Sequence, residues 1–212
     1  MFASDRDLVV REPRVFHDVA WAGQRVVEES GVPYDPATGT LGGVGDGLHS
    51  KGLGVGSVVL VDGVALEVSS VVDDDRVVVS RVGASFALPD IASASVSVVA
   101  HTFAAQLAVV HRQLLGTLGL REGVTQEGGD LAEDRITNAQ ALVEAEASGA
   151  LHMVYAGASA LVGESSPMWV KSRLYGDRFR DARRRAVVEL DLDGDGVAEA
   201  VRRMSLVQLV RA

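Results

Sequence analysis

The feature that most constrains this chain is a change of hydrophobic period near Ala186. Before it, apolar residues recur at helical spacing, and Ser166-Pro167 supplies a helix N-cap and a proline at the first helical position. After it, apolar and polar residues alternate as in a strand, on both sides of an Asp-rich turn. The segment from Ser166 to Ala212 therefore predicts a helix that leads directly into a β-hairpin.

Two further helices are predicted before this one. Apolar residues at helical spacing occupy Thr102–Gly119, and a longer pattern begins at a Thr137–Gln140 capping box and ends at Gly163. Because the next helix follows almost immediately, the second and third helices are expected to be antiparallel neighbours. Small residues along the longer helix, among them Gly149, allow close approach of either a helix of this chain or a second copy.

The clearest strand signal lies between residues 57 and 100. Runs rich in β-branched residues are separated by an Asp62-Gly63 turn and by a turn at residues 73–75, and Ser95–Ala100 adds a fourth run. An Asp-Gly pair is typical of a type I′ hairpin, in which both central residues have positive φ. Short strands at regular spacing predict a small barrel or sandwich.

The first 56 residues carry weaker signals. Residues 5–29 contain scattered apolar positions interrupted by Pro13, which predicts a short strand or arm followed by a mixed segment. Residues 31–56 are rich in Gly and also contain two Pro, which is typical of a long loop or of a β-region with tight bends. The glycines around Lys51 do not follow the order of a phosphate-binding loop, in which Lys follows the last Gly and precedes Ser or Thr.

Together these patterns predict an α+β fold. Residues 1–100 are expected to form a β-rich region with a Gly-rich loop, and residues 101–212 a helical domain of about three helices with a C-terminal β-hairpin. An apolar fraction of 47% in 212 residues is enough to fill such cores. No apolar run is long enough to span a membrane, and the amino terminus lacks the basic-then-apolar layout of a signal peptide, so we expect the protein to stay in the cytoplasm or to leave by lysis.

The charge is distributed unevenly along the chain. The net charge is −9, yet residues 1–170 hold 10 basic and 22 acidic side chains, whereas residues 171–212 hold 10 basic and 7 acidic ones. A basic C-terminal segment on an acidic body favours docking onto an acidic partner, with a solvated helix face as the alternative. The candidate docking residues are Arg178, Arg183, Arg184, Arg185, Leu206, Val207, Leu209 and Val210.

Local spacing assembles no catalytic constellation in this sequence. The absence of cysteine excludes disulfides, thiolate metal sites and cysteine nucleophiles. No two of the five histidines lie at the i, i+3 or i+4 spacing of helical metal ligands, and His111 and His152 on predicted helices are expected to be satisfied core or polar positions. We therefore expect a protein that is not an enzyme.

One motif is specific enough to suggest a ligand. Three aspartates at alternate positions, followed by Gly196 and a glutamate, place several carboxylate oxygens in one turn, and Ca²⁺ accepts such loops as a structural clip. The motif departs from an EF-hand because its twelfth position is Arg202 and its flanks alternate like strands. The other possibility is a hairpin turn in which Asp and Gly supply only backbone geometry. The candidate ligands are Asp191, Asp193, Asp195 and Glu199.

Three segments carry a resemblance to a known family. They are Phe103–Leu115 (FAAQLAVVHRQLL), the Ile136–Ala139 (ITNA) lead into an Ala-rich helix, and Lys171–Arg180 (KSRLYGDRFR) before the Asp-rich hairpin. Over residues 100–212 the chain resembles the head-to-tail connector, or adaptor, proteins of tailed bacteriophages and related particles. The strand region from Ser57 to Ala100 departs from the plain helical adaptor and would be an inserted or appended decoration domain.

The resemblance implies a structural virion protein of the head–tail neck, assembled in the host cytoplasm. Members of that family form dodecameric rings under the portal, and their C-terminal segment engages the portal protein. The implied partners are other copies of the chain, the portal, a tail, stopper or tail-terminator protein, and DNA that passes through the lumen without sequence-specific binding. The alternative interpretation is a calcium-stabilised, non-enzymatic module that binds a carbohydrate or a surface protein.

Overall fold

The computed structural model of the chain describes residues 1–42, 47–84, 87–126, 129–163 and 165–204. The chain divides into two compact units, each with its own hydrophobic core. The barrel unit comprises Ser4–Ala104, and the helical unit comprises Met1–Ala3 together with the chain from Ala105 onward. The expected α+β class is confirmed.

The barrel unit is built on six antiparallel strands. They are β1 (Gln24–Asp35), β2 (Thr40–Leu41), β3 (Val58–Val61), β4 (Val64–Val71), β5 (Val77–Arg81) and β6 (Ser95–Thr102). Their order is β1-β2-β5-β4-β3-β6, and the sheet closes because β1 pairs with β6. Buried side chains, mostly Val and Leu, fill the interior, as expected for a barrel of few strands. Of the two predicted architectures, the small barrel is the one that forms.

The turn between β3 and β4 follows its prediction. Asp62 and Gly63 have φ angles of 47° and 82°, the left-handed values that a type I′ hairpin requires. The Asp62 carboxylate also accepts a hydrogen bond from the Ser97 backbone N–H at 2.8 Å. This bond ties the turn to β6, and it accounts for an aspartate at a position where positive φ is uncommon.

The first segment of the barrel unit differs from the prediction. It forms α1 (Asp5–Arg11), α2 (Val15–Asp18) and a 3-10 turn, η1 (Ala20–Ala22), so the predicted short strand or arm is wrong. Ser4 begins α1 with a capping box, because the Asp7 carboxylate accepts a hydrogen bond from the Ser4 backbone N–H at 2.9 Å. The long strand β1 begins in the predicted mixed segment and continues into the Gly-rich region, for which the sequence left open a long loop or a β-region with tight bends.

The helical unit contains three long helices and a two-stranded hairpin. Its elements are α3 (Ala104–Leu118), a 3-10 turn η2 (Glu133–Arg135), α4 (Gln140–Val162), α5 (Pro167–Arg185), β7 (Val187–Leu190) and β8 (Ala200–Arg203). The count of about three helices therefore holds for this unit alone, because α1 and α2 raise the number in the described residues to five. None of these helices is both long and apolar enough to cross a membrane.

Helix α4 lies between α3 and α5 and has small residues where they approach. A Cβ added to Gly149 would lie 2.7 Å from Cγ1 of Val110 on α3 and 3.1 Å from the ring of Phe179 on α5. Ala145 and Ala147 on α4 are fully buried. The groove at Gly149 is therefore filled by helices of this chain. The sequence alone had also allowed a second copy of the chain to fill it.

One of the two predicted helix caps forms. The Ser166 hydroxyl accepts a hydrogen bond from the Trp169 backbone N–H at 3.3 Å and begins α5. The Thr137–Gln140 capping box predicted for α4 does not form, since Ala139 is the N-cap residue and no side chain caps the helix. The Thr137 backbone N–H instead donates to the Glu189 carbonyl at 3.1 Å, because this segment pairs with β7.

Candidate metal and interaction sites

The Asp-rich loop between β7 and β8 is held by its own carboxylates. Asp191 accepts hydrogen bonds from the backbone N–H groups of Gly194 and Gly196, the latter at 2.8 Å. The next two aspartates each accept one from the residue two positions later, at 3.1 and 2.7 Å. The loop therefore has the geometry of successive Asx-turns, in which carboxylates satisfy backbone donors that strands would otherwise pair.

The four predicted metal ligands converge in this loop. One carboxylate oxygen from each of the four residues lies within 4.8 Å of the others, so the cluster could hold a metal ion. Glu199 reaches back to accept the Leu192 backbone N–H at 2.6 Å through Oε2. Because Asp193, Asp195 and Glu199 each use one oxygen for the loop in these bonds, their second oxygens are available to a hard cation.

The positively charged Arg135 side chain lies beside the Asp-rich loop. Nη1 of Arg135 is 3.8 Å from Oδ1 of Asp191, and a side chain at Gly194 would collide with the same guanidinium. Burial acts to raise the pKa of Asp191, but the N–H groups of Gly194 and Gly196 and the Arg135 charge outweigh it and hold the pKa below its ordinary value. The loop therefore favours the ionised form of Asp191.

Two of the predicted docking arginines on α5 stack on aromatic rings. The guanidinium of Arg178 lies 5.3 Å from the centre of the Tyr175 ring, and that of Arg183 lies 5.4 Å from the centre of the Phe179 ring. These are cation–π distances. The two side chains are therefore held along the helix surface.

The other two docking arginines form exposed ion pairs. Arg184 lies 3.8 Å from Asp181, and Arg185 lies 3.3 Å from Glu144 of α4. Such surface pairs contribute little to stability, roughly 0 to 1 kcal/mol each, so a partner can replace the carboxylate at small cost. The remaining docking candidates, Leu206, Val207, Leu209 and Val210, lie outside the described residues.

The end of the α4–α5 hairpin presents exposed apolar side chains. Leu161 and Val162 in the last turn of α4 are 75% and 55% exposed, and Val170 and Leu174 near the start of α5 are 64% and 44% exposed. We call these four residues the apolar tip. Exposed large aliphatic side chains grouped along one hairpin are candidates for an interaction surface. The apolar tip is absent from the sequence predictions, because helical spacing alone assigns such residues to a core.

A groove of about 450 Å³ lies between α3, α4 and α5. Nδ1 of His152 donates a hydrogen bond to the Ser172 carbonyl at 2.9 Å, which matches the expected role of a satisfied polar histidine. Gly176 makes room for this ring, since a Cβ there would lie 3.1 Å from Nδ1. The groove is lined by Gln113, His152, Arg173, Gly176, Asp177, Phe179 and Arg180.

A buried histidine lies between two glutamates in the helical unit. Nε2 of His111 is 2.7 Å from Oε2 of Glu133, and Nδ1 of His111 is 3.2 Å from Oε1 of Glu146. The His111 and Glu146 side chains are only 2% and 0% exposed. Burial raises the pKa of Glu146, and the hydrogen bonds and the nearby histidine that favour its ionised form offset this only in part. We call these three side chains the histidine–glutamate cluster.

The amino-terminal segment Met1–Ala3 is anchored on this cluster. The backbone N–H groups of Phe2 and Ala3 both donate to Oε2 of Glu146, at 2.7 and 2.8 Å. The Phe2 ring lies against the His111 ring, with 4.6 Å between the ring centres. The cluster therefore binds α3, α4, η2 and the start of the chain together.

Comparison with known proteins identifies no relative. No protein-family model, no curated protein and no solved structure matches the chain.

Proposed function

We propose that this protein is a structural head-to-tail connector of a phage-like particle. It forms one subunit of a ring, dodecameric as in the family that it resembles, which joins the portal to the tail or neck and lines the passage for DNA. It resides in the virion after assembly in the host cytoplasm, and it acts through its surfaces rather than through catalysis. The apolar tip is the observation that carries this proposal.

The apolar tip fits a contact between neighbouring copies in a ring. Its four side chains are 44% to 75% exposed although each is a large aliphatic residue. Removing apolar surface from water contributes about 25 cal/mol per Å². A neighbouring copy that covers this surface would therefore stabilise the ring.

The arginines of α5 fit the second contact, with the portal. Arg184 and Arg185 are 72% and 70% exposed, and the carboxylates with which they pair, on Asp181 and Glu144, are exposed as well. An acidic surface on the portal could take over these pairs at little cost. The net charge of −9 also disfavours adhesion to DNA phosphates, as a passage for DNA requires.

Electron microscopy and light scattering of the purified chain, alone and with the portal protein of the same particle, test the proposal. We expect rings, and we expect the double substitution Leu161→Ser with Leu174→Ser to weaken them. Leu88→Ser is the matched control, because Leu88 in the barrel unit is 40% exposed and lies outside the tip. A protein that stays monomeric at every concentration and does not bind the portal would overturn the proposal.

We further propose that the Asp-rich loop binds Ca²⁺ as a structural clip. The support is the convergence of four carboxylates within 4.8 Å and the suitability of hard oxygen donors for calcium. Added calcium should then raise the melting temperature of chelated protein, since a ligand that binds only the folded state stabilises it by mass action. The double substitution Asp193→Asn with Asp195→Asn should abolish this rise, and Asp90→Asn should not. A melting temperature that is independent of calcium would rule out the structural calcium site without affecting the ring proposal.

A calcium-stabilised binding module for a carbohydrate or surface protein is the competing function. The closed barrel with its own hydrophobic core favours it. This function predicts that Ser4–Ala104 folds and binds its ligand alone. The connector function predicts instead that portal binding is lost when the chain from Ala105 onward is removed.

A further inference from the structure

We propose that residues 206–210 of one copy cover the apolar tip of the next copy in the ring. The inference rests on the proposed ring function and names the two surfaces that meet in it. Four of these five residues, all except Gln208, are Leu or Val, and we call these four the apolar tail. The apolar tail lies outside the described residues, whereas the apolar tip is described in full.

A ring of identical copies needs two different surfaces on each copy. When a patch meets the same patch of a second copy, the two form a closed twofold dimer and association stops. When a patch meets a different patch, each added copy leaves one of each kind free, and a ring forms if the rotation closes. The apolar tip is one such patch, so the ring requires a second one elsewhere on the chain.

The apolar tail begins at the end of α5 that is opposite to the apolar tip. Val170 lies in the first turn of α5, and Ala186 follows its last residue. At about 1.5 Å per residue, roughly 24 Å separates these two positions along the helix axis. The Met204 backbone N–H donates to the Ala186 carbonyl at 3.5 Å, so the apolar tail leaves the described chain beside this end of the helix. One copy can therefore offer its tip and its tail to two different neighbours.

The apolar tail is too short to cover the tip of its own copy. Even a fully extended chain carries Val207 no more than about 11 Å from Met204. Val170 lies about 24 Å from the same point by the rise of α5. Aliphatic side chains do not bridge the remaining distance, so the first half of the tail cannot contact Val170 of its own copy. A neighbouring copy has no such restriction.

The chemistry of the two surfaces also matches. Residues 205–210 contain no charged side chain, although the C-terminal segment as a whole is basic. An acidic portal surface suits the arginines of α5, because opposite charges select each other. An uncharged aliphatic run suits an aliphatic patch instead, since the removal of apolar surface from water drives their association. The neighbour's apolar tip is therefore a better fit for the tail than an acidic portal surface.

Two variants that each lack one surface test this contact. Leu161→Ser with Leu174→Ser removes the tip, and Leu206→Ser with Leu209→Ser removes the tail. Each variant alone should need a concentration at least about tenfold higher than the wild type to form rings. An equimolar mixture should give a species of two copies, because one complete tip–tail contact remains in each pair. Light scattering measures the mass of each species.

The control variant is Val124→Ser, because Val124 belongs to the helical unit, is 76% exposed and lies outside both surfaces. It should form rings like the wild type. Rings that form as readily from the tail variant as from the wild type would overturn the contact and leave the proposed ring function intact. If that variant then failed to bind the portal, the tail would belong to the portal contact. A wild type that forms no rings would overturn the proposed function itself.

Cross-linking tests the contact even if a serine variant does not fold. The sequence contains no cysteine, so Leu174→Cys and Leu209→Cys each introduce a single thiol. A bis-maleimide should join the two single variants in a mixture and should join neither variant to itself. With both substitutions in one chain, a denaturing gel should show a ladder of linked copies. Linkage confined to single chains would show that the tail binds its own copy, and linked dimers of Leu174→Cys alone would show that two tips meet. Either result would overturn the proposal.

Discussion

The Asp5 carboxylate accepts a hydrogen bond from the Phe103 backbone N–H at 2.9 Å, which joins the first turn of α1 to the end of β6. Asp5 is only 6% exposed. Burial raises its pKa from 3.8 to about 6, against the opposing effect of hydrogen bonds from Phe103 and Thr102. The folded barrel unit therefore favours the protonated form of the Asp5 side chain.

Asp5→Asn should stabilise the protein at neutral pH. Because the folded pKa of Asp5 is raised, its favourable contribution is complete below about pH 3.8 and is lost as the pH rises through about 6. A pKa shift of this size corresponds to about 3 kcal/mol in the free energy of unfolding. The Asn side chain keeps an oxygen that can accept the hydrogen bond from the Phe103 N–H. We expect the free energy of unfolding at pH 7.5 to rise by up to that amount, with no gain at pH 4. Urea unfolding at both pH values measures it.

Asp90→Asn is the matched control for this experiment, because Asp90 is an exposed aspartate of the same unit. It should leave the stability unchanged at both pH values. If Asp5→Asn showed the same dependence on pH as the wild type between pH 4 and pH 7.5, the assignment of that dependence to Asp5 would be wrong.

Alanine at Gly149 and at Gly157 should have opposite effects on stability. A Cβ at Gly149 would lie 2.7 Å from Val110, so the tightly packed helices must shift, and we expect a loss of about 1 to 3 kcal/mol. A Cβ at Gly157 on the same helix meets no atom within 4 Å, and replacing a helical glycine there should gain about 0.5 to 1 kcal/mol. Denaturant unfolding measures both, and changes of the same sign would contradict the described packing of α4.

Asp191→Asn should lower the melting temperature at neutral pH. Both carboxylate oxygens accept backbone N–H groups, and an amide side chain can present only one oxygen to them. Since the folded pKa of Asp191 is lowered, its contribution is present above the ordinary pKa and is lost as the pH falls through the folded value. The difference from the wild type should therefore shrink in strong acid. Asp193→Asn should have a smaller effect at every pH, because Asp193 accepts one exposed hydrogen bond in the loop and the amide oxygen of Asn can still accept it.

The elements that the sequence predicted correctly are those with a local signal. Asp62-Gly63 fixes a hairpin and Ser166-Pro167 fixes a helix start through residues that are adjacent in the chain. Strand β1 was missed because its pairing with β6 is long-range, and because register shifts between Arg25 and Val27 and between Glu29 and Val32 break the alternation of side chains. Helix α1 was missed although Ser4 and Asp7 form a capping box, since its short apolar pattern also suits a strand.

The candidate sites also divide into those with a local sequence signal and those that depend on long-range contacts. The four carboxylates of the Asp-rich loop were predicted because they lie within one turn of the chain. The histidine–glutamate cluster was not, because His111, Glu133, Glu146 and Phe2 come from distant segments. One signal was available: Glu146 is a charged residue among Ala, Leu and Val on a long apolar helix, and a buried acid requires a partner.

Arg135→Gln should strengthen calcium binding by the Asp-rich loop. The guanidinium lies 3.8 Å from Asp191 and opposes a metal ion through like charge. The side chain is 19% exposed, so water screens this repulsion less than at a free surface. Its removal should lower the calcium dissociation constant by about three- to tenfold, which titration calorimetry of chelated protein measures. Arg121→Gln, which removes an exposed arginine paired with Asp130, is the control and should leave the constant unchanged. Equal dissociation constants for both variants and the wild type would show that Arg135 does not compete with the ion.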